Sequence, residues 1–323
     1  MQERALTDLK DVYAGNAQHE TAATGVTVLL FPQGARVGVD ISGGGPASRE
    51  SALLSPLTAP TPVNAIVLAG GSAYGLAAGD GVVEWLETHG MGYDTGVAPV
   101  PIVVQSCLYD LTYGSADIRP DAHMGWQACE AAWSRDPFAL GSFGAGTGAT
   151  VGKICGMRRA MKSGLGAYAV EVNGLSMAAV VAVNALGDIY EELSGRKIAG
   201  LRTPDRSDFA DTRTAMLAID KPTDLFNGQN TTLGVVLTNG DLDKASLTKL
   251  AAMTRNAYAR CICPAGTLAD GDSIYAVSTG THPVDLNMAG VLAAQVMAEA
   301  IRRAIVASRM DDTEFLQRCW EHK

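Results

Sequence analysis

The feature that most limits how this chain can fold is an apolar run that opens with two threonines. Residues 231–237 read Thr-Thr-Leu-Gly-Val-Val-Leu, a length and composition typical of a buried β-strand. The preceding segment, 188–230, is rich in charge and is predicted mostly as loop, with a short helix over 212–218. A loop of this length is uncommon in a compact domain and is often functional. The junction between Asn230 and Thr231 therefore suggests a point at which the backbone is cut.

A cut between Asn230 and Thr231 would change the chemistry of the threonine. Thr231 would gain a free α-amine beside its own hydroxyl, and the pair would form a nucleophile with its own base. A threonine at the start of a strand is more often structural, so the junction alone leaves both interpretations open.

Composition excludes several classes of protein. The 323 residues are 47% hydrophobic and 18% charged, which allows a sizeable core and argues against disorder. The net charge of −9 and the absence of Lys/Arg clusters longer than pairs argue against nucleic acid as a partner. No apolar run reaches the ~18 residues of a membrane span. Because the start of the chain also lacks the apolar core of a signal peptide, we expect a cytoplasmic protein with no membrane partner.

The six cysteines give no metal-binding pattern. None of them forms Cys-x-x-Cys, and Cys261-x-Cys263 has no second Cys or His pair beside it, as a zinc site requires. We therefore predict reduced thiols, no metal and no cofactor.

Strands and helices are predicted in an irregular order along the chain. A hairpin is expected through Asn173-Gly174, a strong turn dipeptide. Strands mix with helices without strict βαβ alternation, so the predicted fold class is α+β, a layered sandwich. The predicted strands, besides 231–237, are 64–69, 101–104, 147–154, 166–172, 177–184 and 273–277, and the predicted helices are 73–88, 122–133, 242–258 and 286–310.

Two motifs point to other kinds of protein. Residues 144–149, Gly-Ala-Gly-Thr-Gly-Ala, match the Gly-x-Gly-x-x-Ala of dinucleotide-binding loops, with Glu171 about twenty residues further on. The flanking strand and helix of that motif are not predicted, so a glycine-rich turn lining a tight site is preferred. Residues 71–75, Gly-Ser-Ala-Tyr-Gly, resemble a serine-hydrolase elbow with the wrong spacing. Ser72 is predicted instead as a helix N-cap.

Two further features are candidates for acid–base chemistry and charge stabilisation. Asp270-Gly271-Asp272 places two carboxylates on one side of an extended chain, and such a pair needs a cation or a shared proton. An ordinary acidic turn is the alternative. Asn184 is the polar residue that ends the predicted strand 177–184, and its amide could donate to an oxyanion or simply form a turn.

Seven segments, taken in order, coincide with a known pattern. They are 24–28, 43–50 (Gly-Gly-Gly-Pro-Ala-Ser-Arg-Glu), 68–76, 149–153 (Ala-Thr-Val-Gly-Lys), 181–188, 230–232 and 270–272. In number and order they resemble the L-aminopeptidase/D-esterase family of self-cleaving N-terminal-nucleophile-like hydrolases. That family includes the β-peptidyl aminopeptidases and the nylon-oligomer endohydrolase, and the resemblance covers nearly the whole chain.

The resemblance implies a fold and a processing event. The fold would be a four-layer αββα sandwich. Residues 1–323 would form a single hydrolase domain that cuts itself once, into chains 1–230 and 231–323 that stay associated, and a homotetramer of these processed heterodimers is implied as well. Asn-Thr-Thr matches the nylon-oligomer branch, because the aminopeptidase branch usually has Gly-Ser. Asp272 likewise stands where the aminopeptidases carry Glu.

The family pattern also implies the roles of the nucleophile and its oxyanion donors. Thr231 Oγ1 would attack the substrate carbonyl and form an acyl-enzyme. Its α-amine, with a reference pKa of ~7.7–8.0, would take the hydroxyl proton. Asn184 would donate to the oxyanion, with Tyr109 as a second donor.

The charged residues would act on the amine and on the uncut chain. Asp270 and Asp272 would orient the amine network, and Lys153 would tune its charge. The uncut Thr231 has no free amine, so self-cleavage needs another base, for which the two aspartates are candidates.

The predicted function is an autoprocessed threonine hydrolase. It would cleave amide bonds, and as a further class ester bonds, of peptides, amino-acid amides or aminohexanoate-type oligomers. Two alternatives stay open: an acyltransferase of the ornithine-acetyltransferase type, and a non-catalytic nucleotide-binding protein that uses 144–149.

Overall fold

The computed structural model describes residues 1–220 and 230–319, so part of the predicted loop, 221–229, lies outside the described residues. The strands are β1 (Gln2–Arg4), β2 (Tyr13–His19), β3 (Thr24–Ile41), β4 (Ala47–Arg49), β5 (Val63–Ala69), β6 (Tyr93–Asp94), β7 (Pro99–Val100), β8 (Val103–Cys107), β9 (Thr150–Val151), β10 (Met161–Lys162), β11 (Leu165–Val172), β12 (Leu175–Asn184), β13 (Asp188–Tyr190), β14 (Lys197–Ala199), β15 (Thr231–Gly240), β16 (Ile262–Cys263) and β17 (Ser273–His282). The α-helices are α1 (Ala78–Thr88), α2 (Ala122–Trp133), α3 (Thr212–Leu217), α4 (Lys244–Cys261), α5 (Leu286–Ala307) and α6 (Asp312–Arg318).

One long strand joins two sheets. The second half of β3 pairs with β17, which continues through β15, β12 and β11 to β1, and these strands form the first sheet. The first half of β3 pairs with β2 and β5, and β5 leads through β8 to β4 in the second sheet. β15 is thus central, antiparallel to β12 and parallel to β17.

Three hydrophobic cores stack the sheets and helices into four layers. The middle core lies between the sheets, with Leu29 and Ile66 from the second sheet and Val180 and Val235 from the first. A second core packs α4 and α5 on the first sheet, and a third packs α1 and α2 on the second sheet. The order is helix, sheet, sheet, helix, and the predicted αββα sandwich is confirmed.

The sequence of β15 fits this central position. Leu233, Val235 and Leu237 alternate along the strand and belong to the core between the sheets, whereas Val236 faces the helix layer, as the two-residue period of a strand requires. Gly234 lies beneath that helix layer. A Cβ there would be 2.6 Å from Tyr258 Oη and 2.9 Å from Met297 Cε. The glycine therefore lets α4 and α5 approach the sheet closely.

The predicted hairpin is present and positions the end of β12. β11 and β12 pair antiparallel from Leu165 opposite Ala182 to Val172 opposite Leu175, and Asn173 and Gly174 connect them with φ of 52° and 82°. Two positive φ values match the twist of the paired strands. The turn therefore sets the register that carries through to Asn184.

Some local predictions are wrong. The helix predicted over 73–88 begins as the 3-10 turn Ser72–Ala77, and Ser72 lies inside it at φ 54° without a side-chain cap. Of the strand predicted over 147–154, only the two residues of β9 form a strand. The chain turns at Gly152, whose φ is 73° and whose backbone packs directly on that of Gly200.

The loop prediction is correct only in part. Within 188–220, which is predicted mostly as loop, the chain forms β13, β14 and α3, the last of these where a short helix is predicted. In the described part of the chain, none of the helices combines the length and hydropathy that a membrane span needs.

Candidate active site

Strand pairing brings the predicted nucleophile and the predicted oxyanion donor together. In the antiparallel register of β12 and β15, Asn184 is the partner of Thr231. Asn184 is the last residue of β12 and Thr231 is the first residue of β15, so both lie where these two neighbouring strands end, at the same end of the first sheet. Both side chains are buried, which protects a reaction at this end of the sheet from bulk water.

The loop that carries the two aspartates closes over the start of β15. Asn230 and Asp270 form a parallel bridge, and Gly271 N–H donates to the Asn230 carbonyl oxygen at 2.8 Å. Asp272 Oδ1 accepts from Thr232 N–H at 2.7 Å. The Thr231 hydroxyl donates to the same Asn230 oxygen at 2.5 Å. The hydroxyl of the predicted nucleophile is therefore held at the carbonyl of the predicted scissile bond.

Hydrogen bonds fix the orientation of the Asn184 amide. Its Oδ1 accepts from Lys153 Nζ at 2.9 Å and from Thr150 N–H at 3.1 Å, which identifies the oxygen. Its Nδ2 donates to the backbone carbonyl of Tyr109 at 2.8 Å. A side-chain amide carries two N–H donors. Within residues 1–220 and 230–319 the second one makes no hydrogen bond, so it can donate to another acceptor.

The charged groups of the site are buried, and burial moves their pKa values towards neutrality. Burial lowers the pKa of Lys153 to about 7, against the opposing charges of Asp270, Asp110 and Asp272. Burial raises the pKa of Asp272 to about 7, and the nearby Asp270 carboxylate adds to the rise. The pKa of Asp270 is raised by burial as well. Groups that titrate near neutral pH can both take up and release protons during a reaction.

Tyr109 contributes to the site through its backbone. Its carbonyl accepts from Asn184, as described above, and burial together with the Asp110 charge raises the pKa of its hydroxyl. The structure thus places Tyr109 beside Asn184. In this contact the main chain of Tyr109 accepts a hydrogen bond, whereas Tyr109 was predicted as a second oxyanion donor.

Sequence reasoning missed Asp110, the residue next to Tyr109. Asp110 is buried and accepts from Gly71 N–H and Thr24 Oγ1, each at 2.7 Å. Burial raises its pKa to about 6. A carboxylate three residues after the buried strand β8 is the signal that could have identified it.

The Gly43–Gly45 turn lies within the segment 43–50 of the family pattern. Gly43 N–H donates to the Asp272 carbonyl oxygen and Gly45 N–H to that of Asp270, at 3.2 and 3.0 Å. The turn therefore holds the loop that carries both aspartates.

The glycine-rich segment 144–149 does not form a phosphate cradle. All of its residues are buried. Gly144 N–H donates to Gln18 and Ala145 N–H donates to Thr27, so these amides already have partners within the protein. A phosphate needs accessible backbone N–H groups, which argues against the nucleotide-binding alternative.

The four-layer αββα sandwich is the architecture of the N-terminal-nucleophile (Ntn) hydrolase fold. The structure is similar to a β-aminopeptidase of Burkholderia sp., with a TM-score of 0.68, 19% identity and coverage of 100% of this chain and 96% of that one. It is also similar to the L-aminopeptidase D-Ala-esterase/amidase of Ochrobactrum anthropi, described as a variant of the Ntn hydrolase fold. That match has a TM-score of 0.70, 18% identity and coverage of 97% and 92%.

Sequence comparison then gives the family. The model of peptidase family S58 matches residues 4–314, and the chain belongs to this family of hydrolases. An uncharacterized aminopeptidase of Mycobacterium tuberculosis H37Rv is 38% identical over 300 residues, which cover 90% of this chain and 83% of the relative. The 6-aminohexanoate-oligomer endohydrolase of Kocuria sp. KY2 is 30% identical over 320 residues, 92% of this chain and 84% of the relative. The predicted family resemblance is confirmed.

Proposed function

We propose that this S58 hydrolase is an autoprocessed threonine hydrolase that cuts itself between Asn230 and Thr231. The observation that carries the proposal is the position of the Thr231 hydroxyl. It lies at 2.5 Å from the Asn230 carbonyl oxygen. The buried site also holds the Asp272 carboxylate and the Lys153 ammonium, whose pKa values burial brings to about 7, and the Asp270 carboxylate, whose pKa burial raises. This is the set of groups that an internal acyl shift requires.

Asp272 is the base best suited to the uncut chain. Its carboxylate accepts a hydrogen bond from the N–H of Thr232, the residue after the nucleophile. A pKa raised to about 7 lets it take up a proton at neutral pH, whereas an ordinary aspartate is too weak a base. Asp272 therefore takes the Thr231 hydroxyl proton during self-cleavage, directly or through a water.

After the cut, the new α-amine of Thr231 becomes the base. It removes the proton from Oγ1, and Oγ1 attacks the substrate carbonyl to form an acyl-enzyme that water hydrolyses. The free N–H of Asn184 stabilises the oxyanion. Asp270 and Asp272 balance the charge of the amine when it is protonated, and Lys153 holds the Asn184 oxygen.

The two chains of 1–230 and 231–323 stay associated in this proposal. β15 remains paired along its length with β12 on one side and with β17, its own chain, on the other. The core between the sheets also takes residues from both chains, such as Val180 and Val235. We further propose the homotetramer of processed heterodimers, which size-exclusion chromatography with light scattering tests.

The substrates that we propose are amides. The relatives named above are an aminopeptidase and a 6-aminohexanoate-oligomer endohydrolase, which supports short peptides, amino-acid amides and aminohexanoate-type oligoamides, with esters as a further class. An acyltransferase would use the same nucleophile with an amine acceptor, so product analysis with and without added amines separates the two activities.

Denaturing electrophoresis with N-terminal sequencing of the purified protein tests the proposal. We expect two bands, of 230 and 93 residues, and the smaller one should begin Thr-Thr-Leu-Gly. A single intact chain under all conditions, with or without hydrolysis of an amide substrate, would refute the mechanism.

A further inference from the structure

The peptide unit between Asp270 and Gly271 supplies a backbone donor to the carbonyl of the predicted scissile bond. Gly271 N–H donates to the Asn230 carbonyl oxygen at 2.8 Å, and this carbonyl belongs to the bond that self-cleavage would break. We infer that the Gly271 N–H is the oxyanion donor of the self-cleavage. This role rests on the proposed function, because it requires a cut between Asn230 and Thr231.

Hydrogen bonds to the carbonyl and to the side chain of Asp270 hold the donor in place. The carbonyl oxygen of the same peptide, that of Asp270, accepts from Gly45 N–H at 3.0 Å. The Asp270 carboxylate accepts from the N–H and the hydroxyl of Thr267, at 2.8 and 2.7 Å. A donor that is fixed before the reaction does not reorganise as charge develops on its acceptor, and such donors are the most effective in catalysis.

Space requires glycine at position 271. A Cβ there would lie 2.6 Å from Thr231 Oγ1 and 2.9 Å from the Gly45 carbonyl oxygen. Any side chain would therefore displace the nucleophile or the turn that holds the loop. The close approach that excludes a side chain is the same one that brings the N–H to the scissile carbonyl.

Asn184 and Gly271 serve different carbonyls. Among the described residues, the polar contacts of the Asn184 side chain go to Thr150, Lys153 and Tyr109. The Asn230 oxygen receives its two hydrogen bonds from Thr231 and Gly271 instead. The chain's own carbonyl thus uses a backbone donor, and the substrate carbonyl uses the side chain of Asn184.

The step balances as an N-to-O acyl shift followed by hydrolysis. Thr231 Oγ1 loses its proton and bonds to the Asn230 carbonyl carbon, and the C=O electron pair moves onto the oxygen, where Gly271 N–H holds it. The electron pair on the oxygen then re-forms the C=O bond, and the C–N bond to Thr231 breaks. The Thr231 nitrogen takes up the proton that Oγ1 lost and becomes the free amine. Water hydrolyses the resulting ester to give the Asn230 carboxylate and the Thr231 hydroxyl.

Replacing single peptide N–H groups by ester oxygens tests this role. Cell-free translation with glycolic acid at position 271 removes the N–H and adds no side chain. The matched control is glycolic acid at Gly195, whose N–H donates to the Glu191 carbonyl oxygen at the same distance of 2.8 Å. We expect the ester at 271 to slow self-cleavage ~100- to 1,000-fold, as for loss of one oxyanion donor, while the ester at 195 leaves the rate unchanged.

The outcomes separate this role from the proposed function. If the esters at 271 and 195 are cut at equal rates, Gly271 is not the donor. If the unmodified chain is never cut, the proposed function fails first. Thermal unfolding checks that both ester chains are folded.

An ester at Gly45 provides a second variant that does not touch the scissile bond. It removes the N–H that holds the Asp270 carbonyl, and we expect self-cleavage to slow roughly fivefold, as for one neutral hydrogen bond. If the ester at 271 prevents folding, the ester at Gly45 becomes the decisive test. An unchanged rate of self-cleavage in that variant would overturn the role of the Gly271 N–H as oxyanion donor.

Discussion

Replacing the hydroxyl by a methyl group at Thr231 or at Thr232 should have opposite effects on self-cleavage and hydrolysis. Thr231→Val and Thr232→Val keep the shape and β-propensity of the side chain. Both residues are buried at the start of β15. The Thr231 hydroxyl donates to the Asn230 carbonyl, whereas the Thr232 hydroxyl has no hydrogen-bond partner within the described residues.

The expected changes in stability are small and differ in sign. Thr231→Val removes one hydrogen bond, worth ~0.5–1.5 kcal/mol, and the Asn230 oxygen keeps its bond from Gly271. Thr232→Val removes a buried hydroxyl without a partner and should stabilise the fold by about 1 kcal/mol. With ~2.1 cal/mol/K of unfolding entropy per residue, 1 kcal/mol changes the Tm of a chain of 323 residues by about 1–2 °C. Both variants should therefore fold.

Their chemistry should differ completely. Thr231→Val lacks the nucleophile and should remain one chain without amide hydrolysis, whereas Thr232→Val should be cut and active at the normal rate. Denaturing electrophoresis over a time course, thermal unfolding and release of a chromogenic amine measure the three properties. Two bands from folded Thr231→Val, or one intact band from folded Thr232→Val, would contradict the assignment of Thr231.

Three further predictions concern the same site and its support. Asn184→Asp keeps an oxygen for Lys153 but loses the Nδ2 donor, so kcat/KM should fall ~100- to 1,000-fold in a steady-state amide assay, and a normal value would exclude Asn184 as the oxyanion donor. The rate of self-cleavage should rise with pH around a midpoint near 7, where Asp272 loses its proton. Because the folded-state pKa lies above the unfolded one, Asp272 should make stability fall as pH rises from about 4 to about 7. Asp272→Asn should abolish the midpoint in cleavage and reduce that slope in denaturant titrations, and an unchanged cleavage profile would assign the base elsewhere. Gly234→Ala places a Cβ at 2.6 Å from Tyr258 Oη, so the free energy of unfolding should fall by ~1–3 kcal/mol, and an unchanged Tm would show that α4 can move away from the sheet.

The predictions from sequence succeeded where short-range patterns suffice. The apolar run at 231–237 is a strand, as its length and its β-branched residues predict. The Asn173-Gly174 turn forms the hairpin with two positive φ values. Predictions failed where one backbone contact overrides the pattern. Gly152 ends a predicted strand because it packs on a distant segment, and no local signal reports that contact.

The candidate site was predicted as a set of residue types rather than as a geometry. The motifs made Thr231, Asn184 and the two aspartates candidates, and the structure places them together. The contact of the Tyr109 carbonyl and the buried Asp110 were missed. The Tyr109 contact depends on which backbone atoms meet near the end of β8, and a sequence does not specify main-chain contacts between distant strands. Asp110 lies three residues after the same strand, so its position could have been read from the sequence.

The sequence by itself determined the strand that begins at Thr231, the α+β class and the membership of a hydrolase family. These follow from local pattern and from ordered motifs. Only the tertiary structure decided that Asn184 lies opposite Thr231, that Gly271 N–H meets the Asn230 carbonyl, and that Lys153 and Asp272 titrate near neutral pH. The physical reason is that register, close backbone approach and burial arise from packing between segments far apart in the chain, and a pKa responds to that packing rather than to neighbours in sequence.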